Sequence, residues 1–222
     1  MNGYLLRNYS LFMNNQANRL PLRQAGVSYV AAGLFLLING FPYWFGHRRL
    51  DQDPLLKAHQ VVGIFHQIDN FKETIIQLWA MVVATLALVV AHYSLWRSGQ
   101  PTGDRKRYLF LIPLAGSLCH LLCFEFPLPF APMGTLLTSL GMLWVGAVSI
   151  RSRIWSGWHR FTPLFVGLFT FMVQLPLYLI LGTPPYHVLP LWGLPIGLLG
   201  IASWRQAKAL SSNALAYRDE TR

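Results

Sequence analysis

Residues 74–96, TIIQLWAMVVATLALVVAHYSLW, contain one histidine and no Asp, Glu, Lys or Arg. A helix needs about 20 mostly apolar residues to cross the ~30 Å hydrocarbon core of a bilayer, and this run is long enough. It shows no polar face at the 3.6-residue period expected of a helix on a water-soluble bundle. Five further blocks read the same way: 26–45, 108–126, 131–150, 163–182 and 187–204. The last is the shortest and the most interrupted by proline. The expected fold class is therefore all-α: a polytopic integral membrane protein, a bundle of six transmembrane helices.

The charges between the blocks give an orientation. Arg7, Arg19 and Arg23 precede the first block, and Arg97, Arg105, Lys106 and Arg107 follow the second. Arg151, Arg153 and Arg160 follow the fourth, and Arg205, Lys208, Arg218 and Arg222 follow the sixth. The short gaps 127–130 and 183–186 hold no Lys or Arg. The positive-inside bias then predicts both termini in the cytoplasm. The gap 46–73 departs from the pattern, with Arg48, Arg49, Lys57 and Lys72 set against Asp51, Asp53, Asp69 and Glu73. The net charge of +10 is thus a membrane signature. Basic residues beside spans anchor to anionic headgroups, and no basic, aromatic-studded soluble stripe exists to hold nucleic acid. Trp44, Trp96, Trp155, Trp158 and Trp204 fall near block ends, where interfacial aromatics collect.

A single transmembrane domain covers 1–222. Residues 1–24 alternate apolar and polar positions and read as a cytoplasmic interfacial segment that Pro21 ends, rather than as a cleavable signal. Residues 206–222 read as a cytoplasmic tail continuing the last helix. Gly193 and Gly197 form a GxxxG with Gly200 a turn further on, and Gly141 and Gly146 share the fourth block; small residues let helices approach closely in lipid. Pro113 and the pair Pro190 and Pro195 interrupt the third and sixth blocks, as broken helices do in some transporters.

The densest polar chemistry precedes the second span, in DPLLKAHQVVGIFHQIDNFKE (53–73). Asp53 and Pro54 form a helix start, which predicts an extra amphipathic, interfacial helix over 54–68. If the helix runs on, His59, His66, Asp69 and Glu73 fall within an arc of about 80°, and Gln77 extends that side. The competing reading is a capping box, Asn70 to Glu73, that starts the second span afresh. Asn39, His120, Glu125, Gln174, Tyr178, Tyr186 and His187 share the outer level on this topology. An ionisable group within a span is a functional candidate by default, and His120 is the best buried example. His92, at the inner end of its span, needs no special explanation on this reading.

The catalytic set expected from sequence is His66, Asp69, Glu73 and His120. Asn39, His59, Gln77, Gln174 and Tyr178 are the expected substrate contacts. A carboxylate beside an imidazole orients it and stabilises its charged form. No metal site is assigned: there is no HExxH and no multi-histidine box, and the HxxD at 66–69 is a weak match. Cys119 and Cys123 lack the CxxC spacing of thiol redox motifs and read as packing residues. Ser117, Ser139 and Ser149 also read as packing residues, and there is no GxSxG, P-loop or dinucleotide motif. Three functions fit. One is a membrane-embedded enzyme acting on a lipid or other hydrophobic small molecule. The second is a non-catalytic subunit packing as an oligomer or within a larger membrane complex. The third is a transporter of small solutes or ions. The concentration of polar residues at one depth favours the enzyme.

Overall fold

The computed structural model describes residues 2–45, 71–123, 127–181 and 188–220. The described residues are helical and contain no strand. The main helices are α1 (Asn2–Phe45), α2 (Phe71–Ser98), α3 (Leu111–Leu122), α4 (Pro127–Ser152), α5 (Thr162–Phe169), α6 (Leu175–Leu181) and α7 (Gly193–Glu220). Short 3-10 helices at Asp104–Phe110, Gly157–Phe161 and Leu189–Trp192 lead into α3, α5 and α7. Four stretches are long and apolar enough to cross a membrane: Asn18–Gly40, Leu78–Ser98, Pro129–Ser152 and Gly157–Ile180. The outer faces of these helices carry exposed Leu34, Trp79, Leu86, Trp144, Met172 and Ile180. So large an apolar exterior is a liability in water and the required surface in lipid. The chain is a multi-pass helical membrane protein.

The packing closes a ring. α1 lies against α2 and α7, α2 against α3, α3 against α4, α4 against α5, and α5 against α7. Glycines make the closest approaches. A Cβ at Gly33 would lie 2.6 Å from the Gly193 carbonyl oxygen, and one at Gly200 would lie 2.6 Å from the Val30 amide nitrogen. Gly193 and Gly200 of block six therefore face α1 within the same chain, against Gly33 and Gly26, while a Cβ at Gly197 would meet nothing within 4 Å. Gly141 and Gly146 serve different neighbours: Gly141 meets Pro113 of α3, and Gly146 meets Leu164 of α5.

Three local expectations change. α1 runs unbroken through Pro21. Proline removes one hydrogen bond from a helix, and here Leu22 and Ala25, both fully buried, pack immediately beyond it. The third block gives a described helix of 12 residues, because the basic stretch before it winds as a 3-10 helix. The fifth block is interrupted by a π turn over Thr170–Gln174, where the Leu175 amide bonds back to the Thr170 carbonyl. Pro176 lies two residues beyond that turn. Its ring crowds the carbonyl four residues earlier, and widening the helix there relieves the clash.

The described Lys and Arg side chains gather at one end of the ring. Two turns interlock there: Trp155 donates from Nε1 to Gln100 Oε1 at 3.1 Å, and Ser152 donates to the Pro101 carbonyl at 2.9 Å. Trp155 is therefore buried and partnered, unlike the exposed Trp158 and Trp204. α1 enters from this basic end and α7 leaves toward it, since Gly26 packs on Trp204.

Candidate functional site

α2 and α3 run antiparallel and bring His92 to Ser117. His92 Nδ1 and Ser117 Oγ are 2.9 Å apart, and Ser117 Oγ also lies 3.0 Å from the Pro113 carbonyl. Serine has one proton to give. If it goes to the carbonyl, His92 Nδ1 carries the other proton and donates to Ser117, and both distances are satisfied. The Tyr29 ring meets His92 edge-on at 5.3 Å between centroids. His92 lies six residues inside the end of α2, about 9 Å along the helix. It is 1% exposed. Its position in a basic-flanked segment suggested a boundary residue, but the structure makes it an interior one.

His120 lies one turn further along α3 and is 6% exposed. It packs on bare backbone, since a Cβ at Gly134 of α4 would lie 3.1 Å from the ring's Cγ and Cε1. Its other neighbour is Trp192, at 5.7 Å between ring centroids and 59° between planes. His120 Nε2 and Trp192 Nε1 are both buried, and neither has a hydrogen-bond partner. The same holds for Tyr29 Oη, Thr138 Oγ1 and Gln174 Nε2. A buried donor or acceptor left unsatisfied costs about 1–3 kcal/mol. By contrast, Thr85, Thr135, Thr170 and Ser203 all donate to carbonyls of their own helices, as hydroxyls in apolar helices do.

Helix register sets the depth of Gln174. His159 and Gln206 lie 3.3 Å apart at the basic end. The antiparallel course of α5 and α7 from that contact brings Gln174 level with Trp192. The register of α4 against α5, fixed by Gly167 on Leu143 and Gly146 on Leu164, brings Gln174 to the level of residue 136. That is about 3 Å from the level of Gly134 and His120. Gln174 is 1% exposed and Trp192 3% exposed, so both are buried at about the depth of His120.

The candidates read from sequence divide into two groups. His120, Gln174, Asn39 and Tyr178 are all buried. Asn39 and Tyr178 each engage a partner of their own. His59, His66, Asp69, Asn70 and Glu125, together with the helix expected over 54–68, lie outside the described residues. Glu73 and Gln77 lie on α2, but their side chains are outside the described set. The acidic residues as a whole fall outside the described side chains, so the expected pairing of imidazole with carboxylate does as well. Among the described residues, no group of three or more His, Cys, Asp or Glu is placed to hold a metal ion. Cys119 and Cys123 are free thiols, each half-buried.

Sequence reading missed His92–Ser117 and Trp192. The S-x-x-H spacing of Ser117 and His120 on one helix face was the available signal. Trp192 carried none, because one tryptophan near a block end resembles any other. Comparison with family models, curated proteins and solved structures gave no match.

Proposed function

We propose that this chain crosses the membrane six times with both termini cytoplasmic, and that it is a membrane-embedded enzyme acting on a lipid or other hydrophobic substrate. The closed ring of helices supports the six-span count. Tyr108–Leu122 is about 24 Å long, and Leu189–Trp204 about 26 Å, each close to the bilayer core. The basic end supports the orientation, since it gathers the described Lys and Arg and receives both α1 and α7.

One observation carries the enzymatic reading: His120 is sealed in the bundle interior with Nε2 unpartnered, beside an equally unpartnered indole N–H. An imidazole nitrogen held there is placed to give or take a proton at a substrate atom. Asp69 or Glu73 would orient an imidazole in this scheme, with His66 as the second acid or base. His59, Gln77, Asn39 and Tyr178 would line the approach. Gly193, Gly200, Gly141 and Gly146 make contacts inside the chain, so these four are not free to serve a non-catalytic subunit's partner.

Mass profiling of lipid extracts tests the reading. Membranes producing the wild-type chain should gain or lose a species relative to membranes producing His120→Gln at equal protein level. Identical profiles would remove the enzymatic reading.

A further inference from the structure

We propose that the level formed by His120, Trp192 and Gln174 binds an uncharged hydrophobic molecule through a carbonyl oxygen on its head. This rests on the reading of the site above and names the class of ligand it takes. The first argument is the kind of hydrogen bond left unmade. Indole nitrogen is a donor only, and an amide nitrogen donates twice and accepts nothing. The unpartnered Trp192 Nε1 and Gln174 Nε2 therefore both call for an acceptor. A carbonyl oxygen has two lone pairs and can accept from two donors at once. His120 Nε2, adjacent to Trp192, would then face the same polar head, where a proton can be exchanged.

The second argument is charge. Among the described side chains, every Lys and Arg lies toward the basic end, and none is Asp or Glu. The described groups at this level are imidazole, indole, amide and hydroxyl. A phosphate or carboxylate head would find no counter-ion among them in an apolar interior, a costly arrangement for a charged ligand. A quinone, ester, aldehyde or ketone meets the donors without that cost, and its tail matches the surroundings.

The test uses the full-length chain in detergent with two probes, 4-decylbenzophenone and its 4′-carboxylate. Both carry the same tail and ketone, and only the second is charged. The neutral probe should raise the unfolding temperature and, on irradiation, attach to peptides carrying residues 111–123 or 188–193. The carboxylate should bind at least tenfold more weakly. Trp192→Phe and Gln174→Met each keep the apolar bulk and remove one donor, and each should weaken the neutral probe about tenfold. Equal binding of the two probes to the wild type would overturn the proposal without any variant. So would unchanged binding in both variants, or attachment confined to other helices. If the neutral probe binds selectively while lipid profiles ignore His120, the enzymatic reading falls and the ligand class stands. If profiles respond to His120 but the probes are not discriminated, the ligand class falls.

Discussion

His92 and His120 lie about one helical turn apart in depth, both sealed in the same bundle, yet their surroundings differ in kind. His92 is tied to Ser117, which is tied in turn to a backbone carbonyl. His120 faces a glycine and an indole and leaves Nε2 without a partner. Burial alone does not separate a structural histidine from a candidate site. The accounting of hydrogen bonds separates these two, because His92 has a partner and His120 Nε2 has none.

The largest expected effect removes the ground under His120. Gly134→Val would press on its ring and on the Gly116 carbonyl, which a Cβ would approach to 2.9 Å. Overpacking of that kind should cost about 3 kcal/mol, read as a lower unfolding temperature in detergent. Next, Ser117→Ala should cost about 1 kcal/mol by removing the hydroxyl that pairs with the His92 imidazole, and His92→Phe placed on top of it should recover part of that loss. A recovery of zero would mean that the two residues are not coupled and would dissolve the contrast. At the basic end, Trp155→Phe removes the bond to Gln100 and should cost about 1 kcal/mol. The smallest effect is the most telling. His120→Phe should leave stability within about 0.5 kcal/mol of the ligand-free wild type or improve it, since it deletes an unsatisfied group and no bond. A loss as large as that of Ser117→Ala would show that His120 is structural after all.

Most of the fold was legible because the bilayer dictates it. Twenty apolar residues flanked by arginines leave a chain few alternatives, and residues 74–96 state the rule openly. What stayed hidden depends on contacts between blocks. Nothing in block one marks Gly26 and Gly33 as the partners of Gly193 and Gly200. The π turn before Pro176 was also hidden, since a proline can as readily kink a helix as widen it. For the site, His120 and Gln174 were legible as polar residues within apolar runs. His92 was discounted for its place at the inner end of its span, because a span boundary read from sequence does not give depth in the bundle. Trp192 emerges only when block six is laid against α3.

The central claim is that the His120 level is a binding site rather than a flaw in packing. The direct measurement is mass spectrometry of small molecules released on denaturing the purified protein, wild type beside His120→Phe. The account predicts an uncharged, carbonyl-bearing hydrophobic molecule near one copy per wild-type chain, and its loss from the variant. The same molecule at the same stoichiometry in both proteins, or none in either, would contradict it.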